Sequence, residues 1–243
     1  MKTITMFRKS TYRLITCAAI IIVGSMHVLV GYGQFWPVNF DGAPALKPGQ
    51  VETSLFFSGS YISSDGKTII TGYLPGIKIG FGIAKNFDLK LSYGRGFYTI
   101  LNNKEWFDSK ENNIIISPKV SFLKGILGIK VPFSFILYNN EASKKIKVFY
   151  IISPRIIVSL HYKQYVECNI SPVFEIYLPG RGVDPIYHLG GNLGFAFSSN
   201  LERWSIRPEA FLSYPIPDKN NISDMLVYGW GVAATINFDA FTK

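Results

Sequence analysis

Apolar and polar residues alternate along most of the chain after residue 49. In the run 87–94, for example, Phe, Leu, Leu and Tyr are interleaved with Asp, Lys, Ser and Gly. A period of two is typical of a β-strand with one apolar and one polar face. Applied along the chain, it predicts ten strands, at residues 50–62, 71–85, 87–95, 113–123, 126–138, 147–160, 165–177, 186–198, 204–214 and 225–238.

The connections between these predicted strands alternate in length. Short turns at 86, 124–125, 161–164 and 199–203 separate longer polar loops at 63–70, 96–112, 139–146, 178–185 and 215–224. Short turns on one rim and long loops on the other characterise an outer-membrane barrel, and an even strand number places both chain ends on the short-turn side. We therefore predict an all-β fold over 50–243, a closed antiparallel up-and-down transmembrane barrel of about ten strands.

Aromatic residues fall at both ends of the apolar face. Such rings at the two edges of an apolar band are what two membrane interfaces select. A water-soluble lipocalin-like barrel would have the opposite polarity, and the period alone does not distinguish the two cases. The aromatic residues favour the membrane barrel; they are Tyr61, Tyr73, Tyr93, Tyr150, Tyr187, Tyr214 and Tyr228 on the long-loop side, and Phe87, Phe122, Trp204 and Phe238 on the short-turn side.

The opposite face of the predicted strands is charged and would line the lumen. Buried charges must pair or stay hydrated, and near balance predicts interlocked ion pairs in a narrow lumen. Because about ten strands enclose little free space, a packed polar core is favoured over a conducting path. The six basic residues are Lys78, Lys90, Lys119, Lys130, Arg155 and Arg207, and the five acidic ones are Glu52, Asp88, Glu167, Glu175 and Glu209.

The first residues have the features of a secretory signal. A basic stretch, an apolar stretch over 14–30 and small residues at 31–34 predict a cleaved signal peptide at 1–34. The alternative, a transmembrane anchor, is disfavoured because the apolar stretch is short and contains His27. Residues 35–49 contain three prolines and are predicted to be a periplasmic lead-in. Cleavage would leave Cys168 as a single cysteine, without a disulfide.

Charge and motifs exclude several classes of function. The formal net charge is +9, but four bases lie before residue 14, so the chain after the signal carries 21 bases and 16 acids. That mild excess is not the basic footprint of a nucleic-acid-binding protein. A dinucleotide-like spacing, Gly229-x-Gly231-x-x-Ala234, lies too close to the end for the helix and strand that it requires. We expect no cofactor and no metal, since His161 and His188 are predicted at opposite ends of the barrel.

With these strands placed, the chain resembles small outer-membrane β-barrel proteins of the Bacteroidota type, in the porin-like superfamily. The resemblance rests on the signal peptide, the Ser-Pro-Lys/Arg strand starts, GFGIAKNFDLKLSYG at 80–94, RPEAF at 207–211 and GWGVAATINF at 229–238. It implies the outer membrane of a Gram-negative bacterium, with membrane lipid and the barrel-insertion machinery as partners. One departure is that residues 239–243 follow Phe238, where such barrels commonly end on an aromatic residue.

The expected role is structural or extracellular binding through the long loops. In loop 96–112, strand extension and packing at the barrel mouth account most simply for the apolar residues at 97–101. Trp106 and Phe107, between charges farther along that loop, are the candidate contacts for an extracellular ligand or protein. A narrow pore for small solutes is the alternative. We do not expect an enzyme, although a hydrolase at the rim remains a third candidate. Its best residues would be Asp184 and His188 with Glu175 or Asp218.

Overall fold

The computed structural model describes residues 39–64, 67–100, 105–140, 145–178, 184–216 and 225–239, all within one compact unit. The predicted signal peptide and the residues after Asp239 lie outside them. Strands of one antiparallel sheet make up most of this unit, and β1 pairs with both β2 and β12, which closes the sheet. The strands are β1 Gln50–Ser64, β2 Lys67–Ala84, β3 Phe87–Ile100, β4 Glu105–Phe122, β5 Leu127–Lys130, β6 Phe133–Asn140, β7 Lys145–Ile152, β8 Arg155–Tyr162, β9 Val166–Leu178, β10 Ile186–Phe197, β11 Trp204–Pro215 and β12 Met225–Asp239.

These twelve segments form a ten-stranded barrel because two of its strands are interrupted. β5 and β6 both pair with β4, and β7 and β8 both pair with β9. The breaks lie at Pro132 and Pro154, since proline has no backbone N–H for the sheet. Val131 N still donates to Pro118 O (3.1 Å) and Ser153 N to Pro132 O (3.0 Å), which continues the pairing across the breaks. The predicted closed, ten-stranded antiparallel barrel is confirmed.

The strands on one side of the barrel are longer than a membrane requires. β2 and β4 each have 18 residues, whereas about 9–11 cross a bilayer. The surplus lies on the long-loop side, where β3 runs to Ile100 and β4 starts at Glu105. Most of the predicted loop 96–112 is therefore strand, and the placement of Trp106 and Phe107 in a loop is wrong. The β3–β4 ladder continues outward and pairs them with Thr99 and Tyr98.

The outer surface of the barrel is apolar. Leu55 and Leu160 are 65% and 63% exposed, whereas the inward Lys90 is 1% exposed. This polarity is the reverse of that of a water-soluble barrel, and it is the surface that lipid covers in a membrane-spanning barrel. Among the described residues, no helix has both the length and the apolar character needed to cross a membrane.

Aromatic side chains border this apolar surface at both rims. Neighbouring rings pack across strands, as Tyr61 does with Tyr228 at 5.4 Å between centroids and Phe174 with Tyr187 at 6.0 Å. Amphipathic rings at these heights match the two interfaces of a bilayer. Exposed members are Tyr93, Tyr150, Tyr187 and Tyr214 on the long-loop side, and Phe122, Tyr162, Tyr165, Trp204 and Phe238 on the short-turn side.

This architecture predicts the orientation of the barrel in the cell. Asp184 lies on the long-loop side and Gln164 in the short turn before β9, and both are exposed. With Cys168 replaced by Ser, Asp184→Cys should react with an impermeant maleimide on intact cells, because long loops face outward. Gln164→Cys should react only after the outer membrane is permeabilised. Equal labelling of both positions on intact cells would contradict this orientation.

Candidate functional site

A segment before the first strand lies inside the barrel. Residues 39–46, which we call the plug, run from the middle of the lumen to the short-turn rim, and nearly all of them are buried. At the rim Gly49 N donates to Gly82 O (2.9 Å), and β1 then begins at Gln50. The prediction of a periplasmic lead-in over 35–49 is wrong for residues 39–46, because their polar groups are bound by side chains of the lumen. Residues 35–38 lie outside the described part of the chain.

Asp41 anchors the plug to three lysines of the barrel wall. Its carboxylate lies 2.9 Å from Lys90 Nζ, 3.0 Å from Lys119 Nζ and 3.3 Å from Lys130 Nζ. Burial alone would raise the pKa of the Asp41 carboxyl. The ammonium groups of Lys119, Lys90, Lys130 and Lys78 outweigh burial and hold that pKa well below its ordinary value. Asp41 is therefore charged across the physiological pH range.

Two carboxylates of the wall extend this cluster. Glu52 pairs with Lys78 at 3.0 Å and with Lys90 at 2.9 Å. Asp88 pairs with Lys119 at 3.2 Å. Together with Asp41 these contacts form one connected network, which we call the lysine network; it comprises Lys78, Lys90, Lys119, Lys130, Asp41, Glu52 and Asp88.

The backbone of the plug is bound by wall side chains rather than by a strand. Buried peptide groups need hydrogen-bond partners, and a segment that does not join the sheet must find them elsewhere. The wall supplies both donors and acceptors. The bonds are Lys78 Nζ to Phe40 O (2.8 Å), Lys119 Nζ to Gly42 O (3.0 Å) and Pro44 O (2.7 Å), Ser121 Oγ to Ala43 O (2.8 Å), Ala43 N to Ser159 Oγ (2.7 Å) and Leu46 N to Asp88 Oδ2 (3.0 Å).

Glu209 binds the inner end of the plug. Its carboxylate accepts hydrogen bonds from the backbone N–H groups of Asn39 and Phe40, the latter at 2.8 Å, and from Asn192 Nδ2 at 2.6 Å. Arg155 lies within electrostatic range of Glu209 and of Glu175. Through Asn192 and Glu209 this group joins the plug to β10 and β11, and Arg155 on β8 lies opposite Lys130 of the lysine network.

A third group of charges lies nearer the short-turn rim. Glu167 contacts Arg207 Nη2 at 3.3 Å, accepts from Ser159 Oγ at 2.8 Å and lies 3.7 Å from His161 Nε2. Beside it a cleft of about 350 Å³ lies between the plug and the wall. Asp41, Lys90, Glu167 and Arg207 are among the residues that line it. The plug therefore leaves part of the short-turn half of the lumen unfilled.

Glycines give the plug its space. A Cβ on Gly82 would lie 1.9 Å from the carbonyl oxygen of Lys47, the residue that follows the plug, and 3.0 Å from Leu46 O of the plug. A Cβ on Gly231 would lie 2.3 Å from the Phe40 ring. In the plug itself, a Cβ on Gly42 would lie 1.8 Å from Glu167 Oε1. Glycine within a strand often marks a close approach of another backbone or a ligand, and here the approaching group is the plug.

In the long-loop half of the lumen, a layer of large side chains is buried beside the polar residues Glu111 and His188. On each strand concerned, the residues of this layer lie closer to the long loops than the charged residues do, and all are at most 7% exposed. The strand period did not predict this layer, because alternation separates the two faces of a strand without showing where along the inner face apolar residues replace charged ones. The layer contains Leu74, Tyr98, Ile136, Ile151, Tyr177 and Phe211.

The structure places all eleven predicted lumen residues on the inner face and distributes them among these three groups. Asp41 was missed because it lies in a proline-rich segment that has no strand period. Glu111, which is 2% exposed on β4, is a second buried acid that was not predicted, because it falls in the predicted loop 96–112. Trp106 and Phe107 belong to the β3–β4 hairpin, apart from all three groups.

His161 on β8 pairs with Glu167 of β9, and His188 on β10 pairs with Glu175 of β9. These two histidines therefore lie near opposite ends of β9. His188 packs against the Tyr177 ring at 4.9 Å. Of the other proposed hydrolase residues, Asp184 is exposed beyond the strands, and Asp218 is outside the described residues. In the described ranges, no group of three or more His, Cys, Asp or Glu residues could hold a metal ion.

No family model and no curated protein matches this chain. Among solved structures, it is similar to an outer membrane channel from Pseudomonas putida F1, with a TM-score of 0.47 and 7% identity over 83% of this chain and 100% of the channel. It is similar to the translocator domain of the autotransporter NalP from Neisseria meningitidis, with a TM-score of 0.45 and 12% identity over 96% and 99% of the two chains. The neisserial surface protein NspA gives a TM-score of 0.40 and 12% identity over 78% and 99%. The similarity extends no further than barrel architecture.

Removing the charge of Asp41 should destabilise the barrel. Asp41→Asn leaves buried lysines short of a carboxylate, and breaking a buried pair costs about 3–5 kcal/mol. The control is Glu202→Gln, which removes the exposed Lys47–Glu202 pair at the rim, worth about 0–1 kcal/mol. Unfolding in detergent micelles, followed by tryptophan fluorescence, measures both. Equal midpoints for wild type and Asp41→Asn would contradict the assigned role of Asp41.

The contribution of Asp41 should also depend on pH. Because its pKa is lower in the folded chain than the unfolded value of about 3.9, the stabilisation is fully present above that value. It is then lost as the pH falls through the lower folded pKa. The difference in stability between wild type and Asp41→Asn should therefore be constant from pH 5 to 7 and shrink below about pH 4.

Proposed function

We propose that this protein is an outer-membrane β-barrel that is closed at rest and acts by contact at the cell surface. The apolar exterior with aromatic residues at both rims supports the membrane location. The plug, held by the lysine network, supports the closed lumen and is the observation on which the proposal depends. Membrane lipid and the barrel-insertion machinery are the partners that such a protein requires, and the proposal includes no nucleic acid.

Two separate layers support closure of the lumen. The plug and its ion pairs lie in the short-turn half, beside the cleft of about 350 Å³. Leu74, Tyr98 and Tyr177 belong to the apolar layer of the long-loop half. An ion that crossed the barrel would have to displace both layers, and the first of these involves buried ion pairs, which are costly to break.

The long strands β1 to β4, which we call the β1–β4 wall, support a role in contacting a ligand or protein outside the cell. This wall extends beyond the length that a bilayer needs, and its β3–β4 hairpin carries Trp106 and Phe107. Aromatic residues are enriched at the centres of binding interfaces. The proposed ligand or protein partner would therefore bind the outer end of this hairpin.

The second candidate function is a narrow pore for small solutes, favoured by the cleft of about 350 Å³ that enters the short-turn half of the lumen. It would require the plug to move. We propose no enzymatic activity, because His188 is buried against Tyr177 whereas Asp184 is exposed before the start of β10. The tracts at 80–94, 207–211 and 229–238 support the further proposal that the protein is of the Bacteroidota type and is exported by the signal peptide at 1–34.

Planar-bilayer recording tests the closed state. Refolded wild type should show no steady conductance. The double variant Asp41→Lys, Tyr98→Ala should conduct, because the first change repels the plug from the wall lysines and the second opens the apolar layer. This conducting double variant serves as the positive control for insertion into the bilayer. Steady single-channel currents from the wild type would overturn the closed lumen and favour the pore.

Replacement of Trp106 and Phe107 by Ser tests the contact role. Photo-crosslinking from the β3–β4 hairpin on intact cells should yield an adduct in the wild type and lose most of it in the double variant. Heat-modifiable gel mobility should stay unchanged, because the hairpin end lies beyond the length that spans the membrane. Tyr187→Ser, at the membrane rim on β10, is the matched aromatic control and should keep the adduct. Undiminished crosslinking in the double variant would reject the role, as would failure of that variant to fold.

A further inference from the structure

A cavity of about 50 Å³ lies beside the inner end of the plug, within the barrel. Three cationic side chains line it: Lys78, Lys130 and Arg155, each at most 5% exposed. Asn39 and Phe40 of the plug form one side. The remaining lining is made of four hydroxyls and a few apolar groups, namely Ser92, Ser117, Ser134, Ser153, Phe56, Leu74, Ile115 and Pro132.

No carboxylate of the described residues lines this cavity. Lys78 Nζ contacts Glu52 at 3.0 Å and Phe40 O at 2.8 Å. Lys130 Nζ contacts Asp41 at 3.3 Å and Asn39 Oδ1 at 3.0 Å. Because an ammonium group has three N–H donors, two contacts leave each lysine one donor for a further acceptor.

The lysine network also has one positive charge in excess. It joins four lysines to three carboxylates. The carboxylates that act on Arg155, Glu175 and Glu209, lie outside the cavity lining. A buried charge without a counter-charge is costly, and the shortage falls at the end of the network where Lys78 and Lys130 face the cavity.

We propose that this cavity binds one small, singly charged anion, a halide or a compact oxyanion. The cations supply the charge, and serine hydroxyls supply neutral donors of the kind that coordinate anions. The volume corresponds to a few water molecules. Phe56, Leu74 and Ile115 close the apolar side, so a phosphate ester or a sugar acid is too large. This site is independent of the proposed role at the cell surface.

Bromide is the probe, because its anomalous scattering distinguishes it from water. Crystals of the full chain grown or soaked with bromide should show an anomalous peak within hydrogen-bonding distance of Lys78, Lys130 and Arg155. The same cavity occupied by water alone would overturn the proposal. This measurement uses the wild type and does not depend on whether any variant folds.

Unfolding in micelles gives the matching solution test. At constant ionic strength, replacing gluconate by bromide should raise the unfolding midpoint of the wild type with saturation. Lys130→Met should raise the half-saturating bromide concentration roughly tenfold or more, because it removes one charge-assisted hydrogen bond to the anion. The control is Arg207→Gln, a lumenal charge outside the cavity lining, which should leave that concentration unchanged. An equal bromide response in wild type and Lys130→Met would also overturn the proposal.

Discussion

Neutralisation of the lysines inside the barrel is the constraint on which the rest of the structure depends. Lys90 and Lys119 are buried almost completely, and a buried charge is tolerated only when it is paired and hydrogen-bonded. The wall supplies Glu52 and Asp88, which are too few for four lysines. Asp41 supplies a third carboxylate from outside the sheet. The plug is therefore part of the charge balance of the barrel.

The same constraint explains how the plug is shaped. The plug pairs with no strand in the part of the chain that the structure describes, so wall side chains take over its backbone hydrogen bonds. Lys119 does both tasks at once, since it pairs with Asp41 and Asp88 and also donates to two plug carbonyls. Wall glycines such as Gly82 provide the close approach.

Closure of the lumen connects this chemistry to the proposed role. The short-turn half is closed by charge and the long-loop half by large side chains, among them Tyr98 and Tyr177. The exterior is apolar, and the plug occupies the short-turn half of the lumen apart from the cleft of about 350 Å³ near the short-turn rim. In the proposed role, contact with other molecules is made at the outer end of strands β3 and β4.

Local pattern predicted the fold well because strand alternation is a local property. All ten barrel strands were found, with the β9 and β11 boundaries correct to about one residue. The breaks at Pro132 and Pro154 were missed, because the inward and outward alternation continues through them. The extension of β3 to Ile100 agrees with the strand extension expected for residues 97–101, whereas that of β4 back to Glu105 was missed because its charged residues resemble a loop.

The plug could not be predicted in the same way. Its contacts join residues distant in sequence, such as Asp41 with Lys119 and Phe40 with Glu209. Period, turn residues and capping signals report on neighbours in the chain and carry no information on such pairs. Charge counting gave no pointer either, because six bases against five acids predicts a lumen that is already near balance.

Hydrogen exchange of the plug tests the central claim most directly. The backbone amides of Phe40, Ala43 and Leu46 are bonded to Glu209, Ser159 and Asp88 inside the barrel. Mass spectrometry of the folded protein in micelles should therefore show the peptide that covers residues 39–46 exchanging as slowly as the barrel strands. Exchange of that peptide at the rate of an unstructured chain, with the strands still protected, would contradict a plug bound in the lumen.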